Sequence, residues 1–207
     1  MDFVRPVEAI VPGTKGRVLA VLMETTAELN MRTIARLAGV SQAQASRVLP
    51  HLVDLGVIER REVPPASLFR LVPEHVVTRA LLAVARSSDF VFDEIGRLAG
   101  ALPLPPLSVV VFGSFARGEA DVDSDIDVVV VRPAAIDEDD HSWAESLVGW
   151  RRSVERLSGN AVDVLEVSAK DASKKLGGRS PVWADIRREG RVVQGLDLHE
   201  LRGVRVG

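Results

Sequence analysis

Residues 109–118 read VVVFGSFARG, and residues 123–131 read DSDIDVVVV. Each stretch contains a run of valines, which is typical of a buried β-strand, with polar residues at one end. In the first stretch the strand ends at Gly113-Ser114, where a turn or short helix begins. In the second, Asp125 and Asp127 stand two residues apart, so both carboxylates project from the same face of the strand. Together the two stretches predict neighbouring strands with an acidic end.

The residue types at this end favour a site for phosphates and metal ions. Backbone amides at Gly113-Ser114 can bind phosphate oxygens, and the glycine lets a phosphate approach closely. Adjacent carboxylates repel each other unless a cation lies between them, and Mg²⁺ prefers few carboxylates together with substrate phosphates. Asp163, in the third predicted strand (residues 161–167), would complete a site for two ions. One ion would activate an acceptor hydroxyl, and the other would hold the triphosphate and the departing pyrophosphate.

This combination resembles the signature of the polymerase-beta-like nucleotidyltransferase superfamily and is most similar to its minimal nucleotidyltransferases. The resemblance covers about residues 107–195 and includes FGSFARG, the spaced aspartates and the closing IRREG at residues 186–190. It implies that Gly113 and Ser114 bind the nucleoside triphosphate, and that Arg117 contacts phosphate or braces the loop. It also implies that Asp125 and Asp127 are metal ligands. Asp163 would be a third metal ligand or the base for the acceptor. The alternative to an active enzyme is a member of the superfamily that keeps the fold but has lost the activity.

A second pattern lies near the N-terminus. Two short predicted helices meet at AGVS (residues 38–41), where the glycine permits a turn and Ser41 caps a helix over residues 42–55. Pro50 removes one backbone donor from that helix. A predicted hairpin follows, and residues 14–72 therefore resemble a winged helix-turn-helix of bacterial regulators. The resemblance implies that the second helix enters the major groove of DNA and that the hairpin contacts phosphates. The residues expected to face DNA are Gln42, Gln44, Ala45, Arg47, Arg60 and Arg61. A protein-docking or dimerisation role stays open.

The chain is expected to have four parts. Residues 1–13 form an arm or edge strand, residues 14–72 the winged helix, residues 73–106 a helical connector and residues 107–207 the nucleotidyltransferase domain. The expected fold class is α+β, with a small mixed sheet in the last part. Residues 14–72 carry eight Lys or Arg and five Asp or Glu. The 135 residues that follow carry 17 Lys or Arg and 22 Asp or Glu. This asymmetry fits a polyanion partner for the first part and a carboxylate site for the last.

Composition excludes several other classes of protein. The 207 residues include no cysteine, which excludes disulfide scaffolds, zinc–thiolate sites and thiol catalysis. No apolar run reaches the roughly 18 residues that span a bilayer, and no leader pattern is visible. The expected location is therefore the cytoplasm, with no membrane partner. The absence of tyrosine excludes self-modification on a tyrosine.

These observations predict an Mg²⁺-dependent nucleotidyltransferase that transfers a nucleoside monophosphate, AMP from ATP, to a hydroxyl of a macromolecule. The resemblance implies a protein acceptor, such as the toxin of a toxin–antitoxin pair, with RNA as the alternative. A competing hypothesis is a non-catalytic DNA-binding regulator whose nucleotidyltransferase domain senses a nucleotide or binds a partner. An antitoxin that acts only by wrapping its toxin is a third. The winged helix also leaves open that the protein forms a homodimer.

Overall fold

The computed structural model describes residues 1–203 and divides the chain into two compact units. The division falls between Ser87 and Ser88, except that Met1 and Phe3 belong to the C-terminal unit. It lies inside the expected connector (residues 73–106), which is not a separate part of the protein. One of its helices contributes to the N-terminal core and the other to the C-terminal core. The reason is that both helices carry an apolar face, and such a face is stable only against a core.

The N-terminal unit contains five helices and a three-stranded sheet. Its elements are α1 (Pro6–Ile10), α2 (Thr14–Met23), β1 (Leu29–Asn30), α3 (Met31–Leu37), α4 (Gln42–Asp54), β2 (Ile58–Val63), β3 (Ala66–Leu71) and α5 (Val76–Ala85). The strands are antiparallel, in the order β1-β3-β2. The expected arm or edge strand at residues 1–13 is instead helical at α1. Pro6 lies in its first turn, where the fixed proline φ suits a helix, and Val7 is buried in the core.

Local hydrogen bonds define the helix-turn-helix. The Asn30 side chain accepts from the Thr33 amide at the start of α3. Between α3 and α4, Gly39 has a φ of +61°, which favours glycine over other residues. Ser41 then caps α4 through a reciprocal capping box with Gln44. The α4 helix continues through Pro50 to Asp54, so the proline does not end it.

The C-terminal unit is built on a four-stranded mixed sheet. Its elements are α6 (Ser87–Gly100), β4 (Ser108–Phe112), α7 (Gly113–Ala116), β5 (Ile126–Arg132), α8 (His141–Ser158), β6 (Val162–Ser168), α9 (Ala169–Leu176), α10 (Pro181–Glu189), β7 (Arg191–Gly195) and α11 (Leu198–Gly203). The strand order is β6-β5-β4-β7; β5 and β6 are parallel, and the other pairs are antiparallel. This arrangement confirms the expected α+β class with a small mixed sheet.

Both faces of this sheet are covered. Side chains alternate along β5, so Ile126, Val128 and Val130 pack with α6 and α8, while Val129 and Val131 pack with α9, α10 and α11. Because both faces are buried, the strand is a continuous apolar run rather than an alternating one. Its charged residues lie near the two ends, at Asp127 and Arg132. Within the described part of the chain, no helix is both long enough and apolar enough to cross a bilayer.

Candidate nucleotide site and nucleic-acid surface

Asp127 and Asp163 lie side by side on two neighbouring strands. The parallel ladder between β5 and β6 pairs these two residues directly, near the first residue of each strand. Paired residues of a parallel ladder point to the same face, so the register brings the two carboxylates together. Asp125 comes immediately before β5, two residues from Asp127, and is exposed.

The environment of Asp127 disfavours its negative charge. Burial raises the pKa of the Asp127 carboxyl, and the charges of Asp163 and Asp125 raise it further. The nearby Arg117 guanidinium acts in the opposite direction, but it is the smallest of these influences. A second positive charge at this end of the sheet would stabilise the ionised carboxylate.

Gly113 lies directly against the Asp127 carboxylate. Strand β4 pairs Phe112 with Asp127, so the chain turns into α7 beside this side chain. Gly113 has a φ of +71°, and a β-carbon built there would overlap the Asp127 carboxylate oxygen Oδ2. Glycine is therefore required both by the backbone conformation and by the close approach of Asp127. Ser114 follows in the first turn of α7 and is half-buried.

Arg117, expected to contact phosphate or brace the loop, is hydrogen-bonded to two glutamates. Its Nε is 2.7 Å from Glu119 Oε2, and its Nη1 is 2.6 Å from Glu189 Oε1 at the end of α10. These two hydrogen bonds raise the pKa of Arg117. Sequence reasoning included Glu189 only within the IRREG motif and gave it no role, because the two residues lie 72 positions apart.

The three expected metal ligands do not form a ready-made metal centre. Among residues 1–203, no group of three or more His, Cys, Asp or Glu side chains is arranged to hold an ion. The strand register places Asp163 beside Asp127, but like charges repel and both Asp125 and Asp163 are exposed, so the three carboxylates do not converge on one point. The oxygen donors nevertheless fit Mg²⁺, which binds through one or two carboxylates and takes its remaining ligands from phosphates and water.

Asn160 fixes the loop that leads into Asp125, and sequence reasoning missed it. Its side chain is 4% exposed, and its amide donates to the carbonyl oxygens of Asp121 at 2.9 Å and Ser124 at 2.8 Å. The N-terminal amino group donates to Asn160 Oδ1 at 2.7 Å. A polar residue just after the left-handed Gly159 is an ordinary helix end, so no local signal indicated this contact.

The first turn of α4 only partly matches the expected DNA-facing residues. Gln42 and Arg47 are exposed, as expected. Gln44 is exposed too, but its Oε1 accepts from the Ser41 amide at 2.8 Å and is committed to the capping box. Ala45 was expected to face outward and is instead fully buried in the core with Leu49. The apolar face of α4 begins at Ala45, and the helical repeat fixes which residues follow on that face.

Two arginines, Arg60 and Arg61, lie in the wing, the hairpin formed by β2 and β3. Both are paired with glutamates of the same unit. Arg61 forms a bidentate ion pair with Glu28, and Arg60 Nε lies 2.6 Å from Glu62 Oε1. The hydrogen bond from Arg61 lowers the pKa of the Glu28 carboxyl. The contact of both arginines with phosphates stays a prediction: each has a carboxylate partner, and both side chains are exposed.

The helices before and after the turn carry the uncompensated positive charge. Residues 29–53 contain Arg32, Arg36 and Arg47 and no Asp or Glu, and all three arginines are exposed. A hollow of about 460 Å³ is lined by Asn30, Arg32, Thr33, Arg36 and Gln42. Arg32 also lines a larger hollow of about 560 Å³ that reaches α4 and the wing. A charge count over this short window would have found Arg32 and Arg36.

Comparison with known families agrees with both units. Residues 97–182 match the family described as "Nucleotidyltransferase domain". The C-terminal unit contains a nucleotidyltransferase domain. Residues 11–66 match the MarR family, so the N-terminal unit contains a MarR-type winged helix. Both matches confirm the resemblances that the sequence motifs indicated.

Two further comparisons add little to these matches. No curated protein sequence matches the chain. A solved structure described as "Crystal structure of the toxin-antitoxin with AMP-PNP" is 18% identical to this chain. The likeness covers 55% of this chain and 77% of that one, with a TM-score of 0.35, and it supports no conclusion on fold or function.

Proposed function

We propose that the nucleotidyltransferase domain transfers a nucleoside monophosphate, AMP from ATP, to a hydroxyl of another macromolecule in the presence of Mg²⁺. The observation that carries this proposal is the contact of Gly113 with the Asp127 carboxylate, next to Asp163 in the paired strand. The turn at Gly113-Ser114, whose backbone amides would bind phosphate, lies there beside carboxylates whose charge needs a cation.

The residues of this chain would divide the work as follows. Gly113 and Ser114 would bind the triphosphate through backbone amides and the serine hydroxyl. Asp125 and Asp127 would hold Mg²⁺ together with the substrate phosphates, and the ion would neutralise charge on the departing pyrophosphate. Asp163 would be a further ligand or the group that accepts a proton.

The proposed reaction is a single displacement at phosphorus. The acceptor oxygen forms a bond to the α-phosphorus while the bond from that phosphorus to the bridging oxygen of the β-phosphate breaks. Pyrophosphate leaves with the bonding electrons, and the proton of the acceptor hydroxyl passes to a carboxylate such as Asp163 or to water. We propose a protein acceptor, with an RNA hydroxyl as the alternative. Any tyrosine that is modified lies on another chain, because this one has none.

Incubation with each α-labelled nucleoside triphosphate, Mg²⁺ and candidate acceptors tests this proposal. We expect pyrophosphate release and transfer of label that depend on the metal and are greatest with ATP. The double variant Asp125→Ala/Asp127→Ala should lose both signals, because it removes the two proposed cation ligands. Digestion of labelled material with protease or with ribonuclease identifies the class of acceptor. Wild-type protein that releases no pyrophosphate with any triphosphate or acceptor would leave the non-catalytic regulator as the better account.

We also propose that the winged helix binds duplex DNA through α3 and α4 rather than through the wing. The acid-free segment at residues 29–53, with its three exposed arginines, supports this second function. The wing arginines at positions 60 and 61 each have a glutamate partner, which reduces their net charge toward a phosphate. Proteins bind DNA largely by replacing condensed counterions with such free cationic side chains.

The salt dependence of DNA binding distinguishes the two arginine groups. Each free arginine that contacts a phosphate adds about 0.9 to the slope of log K against log salt concentration. We expect Arg32→Ala and Arg36→Ala each to reduce that slope by about this amount. Arg61→Ala should change it much less. Fluorescence anisotropy with a labelled duplex at four salt concentrations measures the slopes. An equal loss of slope for Arg61→Ala and Arg32→Ala would contradict the assignment.

A further inference from the structure

Arg117 lies beside the turn at Gly113, and its guanidinium pairs with two glutamates and not with Asp127. Its amide donates to the Gly113 carbonyl oxygen, so its backbone lies one helical turn from the glycine that contacts Asp127. Its guanidinium is divided between Glu119 and Glu189. The positive charge is close enough to Asp127 to stabilise the ionised form of that carboxylate.

This placement creates a competition for one guanidinium. The Asp127 carboxylate lies among two other acids, and an arginine is the group that would neutralise it in the absence of a metal ion. An arginine bound to Asp127 would occupy the place where the proposed function needs a cation. The two glutamates that pair with Arg117 therefore compete with Asp127 for its guanidinium.

Of these two carboxylates, Glu189 is the better anchored. Its side chain is 11% exposed, whereas that of Glu119 is 62% exposed. It is the last residue of α10, three positions after Ile186, which is fully buried. Its second oxygen, Oε2, accepts from Arg188 at 3.2 Å. An ion pair with one shielded and fixed partner is stronger than one between two exposed side chains.

We propose that Glu189 is a positioning residue that holds Arg117 away from Asp127 and so keeps the carboxylate cluster available to a divalent cation. This inference rests on the proposed function, because it takes Asp127 as a cation ligand. It assigns a role to the last residue of α10, which the sequence analysis included only as part of the IRREG motif.

Binding of Mn²⁺ alone, measured by the electron paramagnetic resonance signal of the free ion, tests the inference without an activity assay. In Glu189→Gln, Arg117 loses its fixed partner and turns toward Asp127, so Mn²⁺ binding should weaken about tenfold, or 1.4 kcal/mol. Glu119→Gln removes the same charge from the exposed partner and should weaken binding about twofold at most. Circular dichroism confirms that each variant is folded.

A double-variant cycle separates an effect through Arg117 from a simple loss of negative charge. If Glu189 acts by holding Arg117, then Glu189→Gln/Arg117→Ala should bind Mn²⁺ as tightly as Arg117→Ala does. If Glu189→Gln weakens binding equally in both backgrounds, the inference is wrong although the proposed function stands. If the wild-type protein binds no Mn²⁺ with or without ATP, the metal-dependent function fails first, and the inference fails with it.

Discussion

Asp127→Asn should reduce nucleotidyl transfer by about 10²–10³-fold and at the same time raise the stability of the metal-free C-terminal unit. The first effect follows from the loss of a proposed cation ligand whose charge supports the transition state. The second follows from the electrostatics of the folded protein, in which burial and two neighbouring carboxylates raise the pKa of Asp127. Because the two effects have opposite signs, a general folding defect cannot produce both.

The direction of the stability change can be worked out from proton binding. An acid whose pKa is higher in the folded state than in the unfolded state binds more protons when folded. Folding is therefore disfavoured as the pH rises from the ordinary carboxyl pKa through the raised value of Asp127. Above that window the ionised side chain destabilises the fold, and a neutral asparagine of nearly the same shape removes the cost. The stabilisation should disappear at a pH below the ordinary carboxyl range.

The three tryptophans provide a selective measurement. Trp143, Trp150 and Trp183 all lie in the C-terminal unit and are buried, so their fluorescence reports on the unfolding of that unit. At pH 7.5 without metal we expect Asp127→Asn to melt about 2 °C higher than the wild type. Added Mg²⁺ should stabilise the wild type and not the variant, which reverses their order.

Asp123→Asn is the matched control for this experiment. It removes the same charge from an exposed side chain in the loop just before β5, outside the paired strands. We expect its melting temperature and its transfer rate to match those of the wild type. An Asp127→Asn protein that melts lower than the wild type at neutral pH, or that keeps full activity, would contradict the account of the acidic cluster.

The sequence predicted the acidic strand well, because the needed information is local. Valine runs indicate buried strands, and a spacing of two residues places Asp125 and Asp127 on one face. The pairing of Asp127 with Asp163 depends on the register between strands that are 36 residues apart. The alternation of side chains limits that register but does not determine it. The winged helix was similarly evident from its turn and cap, whereas the buried position of Ala45 depends on how α4 packs.

Ion pairs were the least predictable part of both candidate sites. Arg60 and Arg61 were expected to face DNA and Arg117 to contact phosphate or brace the loop, and each has a glutamate partner in the structure. Two of these partners, Glu28 and Glu189, are distant in the chain, at separations of 33 and 72 residues. Surface charges can pair in many ways with similar energies, so no sequence pattern selects one. Arg32 and Arg36 of α3 are the exception: they lie in the acid-free segment at residues 29–53, and neither forms an ion pair within residues 1–203.

Gly113→Ala should destabilise the C-terminal unit much more than Gly118→Ala, although both glycines have nearly the same backbone conformation. Gly113 has a φ of +71° and Gly118 a φ of +72°, so alanine costs about 1–2 kcal/mol of left-handed strain at either position. At Gly118 nothing lies within 4 Å of the added β-carbon, whereas at Gly113 that carbon overlaps the Asp127 carboxylate. The overlap should add about 1–3 kcal/mol, as overpacking does in protein interiors.

Urea unfolding followed by tryptophan fluorescence measures both variants, and a third variant tests the cause of the difference. In Gly113→Ala/Asp127→Ala the carboxylate that meets the new methyl group is gone, so the cost of Gly113→Ala, measured relative to Asp127→Ala alone, should fall to that of Gly118→Ala. Gly113→Ala should also lose transfer activity under conditions where it is fully folded, because moving Asp127 displaces a proposed ligand. If Gly113→Ala and Gly118→Ala were equally stable, the close approach of Gly113 to Asp127 would be wrong. The assignment of this turn as the phosphate-binding part of the site would then lose its main geometric support.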